Sequence, residues 1–149
     1  MTKRFFKQKT KFMNTKTMIS GVLGGVTYFL LGFLIWEFLL KDMMSDCIGS
    51  ATGIMRAENE MIMWAMIIGN LGYGFAFAYA LGTWSGVTTF IGGAKAAAAV
   101  AFLFTLGYDM IYYATTNMSS LTGVIYDLGI STFIGAMAGG VIGWWLGRP

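Results

Sequence analysis

The chain has 149 residues, of which 56% are hydrophobic and only 11% charged, with ten Lys and Arg against seven Asp and Glu. Soluble domains carry about 25% charged residues, so this length and composition describe one domain that is too apolar to dissolve and belongs in a membrane. Histidine is absent and Cys47 is the single cysteine, which excludes imidazole metal ligands, His-based nucleophile pairs, an internal disulfide and a thiolate zinc site.

The chain opens with MTKRFFKQKTKFMNTK, a basic arm over residues 1–17 with Lys3, Arg4, Lys7, Lys9, Lys11 and Lys16 and no acid. Such an arm lies against anionic lipid, each basic side chain near the surface contributing about 1 kcal/mol, and Phe5, Phe6 and Phe12 place it in the interface. It is read as lipid-binding, not as a nucleic-acid arm. Four long apolar segments follow, at about 18–40, 61–81, 87–113 and 124–146, each near the roughly 20 residues needed to cross a bilayer as helix. The strand-like alternation GYGFAFAYA at 72–80 sits inside one of them, and an open strand cannot satisfy its backbone in lipid. The first segment is too long for a cleaved signal and is not followed by a small-x-small site. The predicted fold is all-α: a four-helix transmembrane bundle over residues 18–149.

With four spans, the arm, Lys95 and Arg148 fall on one side, and only Lys41 and Arg56 on the other. The positive-inside rule then puts both termini in the cytoplasm. Trp144 and Trp145, followed by Arg148, suit the cytoplasmic interface.

The acidic residues gather at the other side. Asp109 follows Lys95 by fourteen residues, about 21 Å along a helix, and so lies in the outer part of the third span. Glu37 is near the outer end of the first span, and Asp127 near the outer start of the fourth, where a helix dipole favours an anion. Arg56 is the candidate counter-charge for this intramembrane cluster. A carboxylate near a span centre costs about 2.5–3.5 kcal/mol on insertion scales, so Asp109 is expected to face other helices.

Steps of four support that orientation, since residues four apart share a helix face. The third span reads Gly93, Ala97, Ala101, Thr105, Asp109; the fourth reads Asp127, Ser131, Gly135, Gly139, Gly143; the second offers Asn70, Gly74, Ala78, Gly82. Small residues let helix backbones approach closely, as in GxxxG pairs, so Gly74, Ala78, Gly135, Gly139 and Gly143 are the candidate packing positions.

The segments GGVTYFLLGFLIWEFLL, GNLGYGFAFAYALG, GYDMIYYATTNM and GAMAGGVIGWWLG resemble a set of small bacterial four-helix membrane proteins grouped as a domain of unknown function. The resemblance covers about residues 18–147 and implies the architecture but no reaction and no catalytic residue. No nucleophile–base pair is visible, no metal ligand set is assigned and no cofactor is expected. The expected function is a non-catalytic accessory or scaffold subunit, bound to the lipid bilayer and to other membrane subunits or to itself. The alternative is a small cation- or proton-conducting protein using the outer carboxylates.

Overall fold

In a computed structural model, residues 14–47, 49, 59, 63–115 and 117–149 are described. They are mostly helical, with no strand among them. Helix α1 (Thr15–Phe33) runs on as a π-helical segment, Leu34–Leu39. A short α2 (Lys41–Ser45) follows, then α3 (Met63–Tyr79), continued as a second π-helical segment, Ala80–Ser85. Helices α4 (Phe90–Thr115) and α5 (Leu121–Leu146) complete the chain. Among the described residues, three stretches are long and apolar enough to cross a membrane: Thr15–Leu39, Phe90–Ala114 and Leu121–Leu146.

Local chemistry sets the helix ends. Asn14 caps α1, its Oδ1 accepting from the Thr17 N–H at 2.8 Å and from the Thr17 hydroxyl at 2.8 Å. The helix therefore begins inside the expected basic arm and takes in Lys16; the other basic residues of the arm lie outside the described residues. Ser120 caps α5, its hydroxyl accepting from the Gly123 N–H at 3.1 Å, which starts the helix before position 124. Asp127 consequently lies in the second turn and not at the N-terminus, and a dipole at the helix end does little for it. Gly86 ends the α3 extension at φ +60°, a left-handed conformation that costs other L-residues roughly 1–2 kcal/mol.

Helix pairs pack through glycine. Along α4 and α5, each step of four up one helix meets a step of four down the other. Gly93 lies against Gly139 and Gly143, Ala97 against Gly139, and Ala101 against Gly135. The two helices are antiparallel and their backbones nearly touch, which even a methyl group at Gly93, Gly139 or Gly143 would prevent. A second glycine contact joins α1 to α3, with Gly74 against the backbone of Gly21 and Gly25, and Leu71 against Gly25. Gly24 of α1 receives Ile142 of α5. Between these contacts lies a small apolar core of Phe77, Ala78, Leu81, Ala97, Ala101 and Ile142.

The bundle has two distinct ends. At the terminal end, the Lys16 ammonium donates to the Arg148 carbonyl, and the Arg148 guanidinium stacks 3.7 Å from the Trp144 ring centroid and 5.1 Å from that of Trp145. At the far end, the turn after α2 is tied to the α4–α5 connection. Gly49 N–H donates to the Met118 carbonyl at 3.2 Å, and Ser120 N–H to the Cys47 carbonyl at 3.0 Å. Cys47 is buried in this joint, a small residue filling a loop.

Candidate functional site

The α4–α5 register places the acidic residues. Carried two steps beyond Ala101 and Gly135, the ladder passes through Thr105 and Ser131 and arrives at Asp109 and Asp127. Both residues line the same cavity. The two acids meet because the small-residue stripes of both helices lock at one offset, and a slip of one turn would part them.

The two carboxyls have different surroundings. Asp127 is half-buried, and its Oδ1 accepts from the Ser131 hydroxyl at 3.1 Å, one turn further along α5. Tyr28 of α1 lies beside Ser131 and stacks on Tyr73 of α3 with ring centroids 5.2 Å apart. A file of polar groups thus runs from the far end toward the middle of the bundle and stops at the apolar core. Asp109 is only 8% exposed, and its Oδ2 is buried without a hydrogen-bond partner. Burying a polar oxygen unpaired costs about 1–3 kcal/mol, more when it is charged, so this oxygen is the least satisfied group of the file.

Beside the two carboxyls is a cavity of about 200 Å³ lined by Trp36, Asp109, Tyr112, Ser119, Gly123, Val124 and Asp127. Trp36 comes from the π-helical end of α1, whose extra residue per turn (Leu40 N–H donates to the Ile35 carbonyl at 3.0 Å) changes the direction in which its side chains project. Tyr112 stacks on Tyr108 at 5.3 Å and donates its hydroxyl to the Met118 sulfur at 2.9 Å. The walls are therefore two aromatic residues, a serine, a glycine, a valine and two acids, and no basic side chain of the described residues is among them.

Of the residues singled out from the sequence, Asp109 and Asp127 come together. Glu37 instead accepts from the Lys41 ammonium at 2.9 Å in an i,i+4 ion pair and does not line the cavity. Arg56 lies outside the described residues. Gly74, Gly135, Gly139 and Gly143 sit at the backbone contacts described above, and Ala78 is fully buried in the core. Trp36, Tyr112 and Ser119 were not singled out. Tyr112 is one turn beyond Asp109, which was the available signal; Trp36 had none, because a tryptophan near a span end reads as an interface anchor.

Among the described residues no group of three His, Cys, Asp or Glu side chains converges as a metal set would require. No family model matches the chain, and no curated protein or solved structure matches it either.

Proposed function

We propose that this chain is a four-span protein of a bacterial inner membrane, with α3 and its extension as the fourth span and both termini cytoplasmic. In this reading it is a non-catalytic packing subunit that docks on a larger membrane complex or on copies of itself. The observation that carries the reading is the contrast between seam and surface. Inside, helices meet backbone to backbone through Gly74, Gly93, Gly139 and Gly143. Outside, large apolar side chains stand open, including Phe104 at 75%, Leu39 at 72% and Phe38 at 70% exposed. Apolar surface on that scale needs lipid or protein against it.

The test is purification in gentle detergent followed by mass spectrometry of intact assemblies. A stoichiometric larger partner or a defined homo-oligomer is the expected result, and Asp109→Asn should loosen it. A monodisperse single chain, recovered with no partner across several mild detergents, would end this reading.

A second reading has its own support: the outer carboxylates hold a cation or a proton in transit. Ionisable residues within a span mark ion pathways more often than not, and the unpartnered Oδ2 of Asp109 beside a cavity is such a residue. Purified protein in liposomes should then pass cations or protons, with the flux lost in Asp109→Asn. Liposomes as tight as protein-free ones would rule conduction out.

A further inference from the structure

The terminal end of the bundle gathers positive charge that no described residue neutralises. Lys16 stands in the first turn of α1, and Arg148 lies just beyond the last turn of α5. The Lys16 ammonium donates to the main-chain carbonyl of Arg148, so two cationic side chains leave from one spot. The described acids, Glu37, Asp42, Asp46, Asp109 and Asp127, all lie toward the far end. Among the described residues the ion pair is that of Lys41 with Glu37, and neither Lys16 nor Arg148 meets an acid. Like charges rooted together repel unless an anion lies with them.

The Arg148 side chain is also held in a particular way. Its Cζ lies 3.7 Å over the Trp144 ring and 5.1 Å from the Trp145 centroid. Stacking engages the face of the planar guanidinium and leaves its N–H edge free. That edge makes no hydrogen bond to a described residue. A planar fork already oriented by stacking matches two oxygens of a phosphate. Arg148 is exposed, and Trp144 is 48% exposed, so a ligand reaches both from outside. A tryptophan at a membrane surface has its ring at headgroup level. A local role accounts for the Lys16 bond, since lysine suits the carbonyls at a helix C-terminus. It leaves the free Arg148 edge and the unmatched charge unexplained.

We propose that Lys16, Arg148 and Trp144 form a site for one anionic phospholipid of the cytoplasmic leaflet. Its phosphate lies between the Lys16 ammonium and the edge of the Arg148 guanidinium, and its glycerol and upper acyl chain lie along Trp144. Basic groups between spans on the cytoplasmic side bind such headgroups in other membrane proteins. The site goes beyond both functional readings and needs only the membrane setting and cytoplasmic termini. The basic arm attracts anionic lipid diffusely, whereas this site holds one molecule at the junction of the start of α1 and the end of α5.

In the experiment, the full chain in dodecyl maltoside is titrated with phosphatidylglycerol and, separately, with phosphatidylcholine of the same acyl chains. Bound lipids are counted by native mass spectrometry. One phosphatidylglycerol should bind saturably, roughly tenfold tighter than phosphatidylcholine. Arg148→Gln should weaken it roughly fivefold or more. Arg148→Lys keeps the charge but loses the fork and the stacking, and should weaken it several-fold. Lys95→Gln removes a charge from the side of α4 opposite Gly93 and Ala97, turned away from α5, and should leave the affinity unchanged. In a parallel arm that needs no variant, phosphatidylglycerol with a photoreactive headgroup should label wild-type protein at residues 14–18 or 144–149 in preference to the surroundings of Lys95.

Equal affinity for the two lipids overturns the proposal, as does wild-type affinity in Arg148→Gln or Arg148→Lys. Equal losses in Arg148→Gln and Lys95→Gln also overturn it, because diffuse charge would then be the cause. Labelling confined to residues 1–13 makes the basic arm the site and has the same consequence. Release of the bound lipid by millimolar inorganic phosphate removes the lipid from the proposal and leaves a site for the free anion.

Discussion

Glycine matters here through what it leaves out. A Cβ on Gly74 would strike the backbone of Gly21 and Gly25, whereas a Cβ on Gly107 or Gly72 would meet nothing within 4 Å. Backbone cannot swing aside as the end of a side chain can, and overpacking a tight contact costs about 1–3 kcal/mol. Gly74→Ala is therefore expected to lower the midpoint of thermal unfolding in detergent. Gly107→Ala should leave it unchanged or raise it slightly, since alanine is the better helix former by about 1 kcal/mol. Equal effects at the two positions would show that the α1–α3 contact does not hold the helices as described. At the same scale, Glu37 and Asp109 differ in kind. Glu37 sits in a partly exposed pair with Lys41, and such pairs are worth about 0–1 kcal/mol. Asp109 is buried with an unsatisfied oxygen, and its cost is borne by the packing around it. Composition marks both as acids within an apolar chain, but only burial and partners separate the ordinary one from the unusual one.

Among the elements, α5 is the hub. It packs on α4 along its whole small-residue stripe and on α1 through Gly24 and Ile142, and it carries Asp127 and Ser131. Its start is fixed by the Ser120 cap and by the bond from Ser120 N–H to the Cys47 carbonyl. Ser120→Ala removes the side-chain acceptor for Gly123 N–H, and loss of such a cap costs about 1 kcal/mol. Faster hydrogen exchange at Gly123 and Val124, with α4 unaffected, is the expected signature; unchanged protection there would mean that the cap is dispensable. The stripes of α4 and α5 were legible from the sequence, because a period of four on a helix needs only the residue letters. Their relative offset was not legible. Small residues at every fourth position allow several registers one turn apart, and only the packed pair shows which one brings Asp109 to Asp127. The π-helical ends of α1 and α3 were equally hidden, since a single extra residue in a turn leaves no mark in composition.

For the whole molecule, the proposed orientation is set by charge. Lys16 and Arg148 meet at the terminal end, and the Cys47–Ser120 joint closes the far end. With the basic arm cytoplasmic, reporters fused to either terminus should report cytoplasm, and a reporter inserted after Gly49 should report the opposite side. A terminal fusion active on the outside would reverse the placement of the acidic cavity. The apolar surface is distributed over all four long helices, from Leu30 and Phe33 on α1 and Ile68 on α3 to Leu103 and Phe104 on α4 and Ile125 on α5. That distribution matches a bundle surrounded by hydrocarbon, where association depends on close packing and not on a drive to leave water.

The sequence by itself determined the class of solvent, the helical form of the apolar segments and the faces that would turn inward. Each of these depends on local quantities: apolar length, backbone satisfaction in lipid and a period of four. The tertiary structure alone decided which acids meet, that Glu37 is matched to Lys41 while Asp109 lacks a partner for Oδ2, and that Trp36 and Tyr112 wall the space beside it. These depend on register and on the extra residue in a helical turn, and a shift of one turn in either alters the site while leaving composition and periodicity the same.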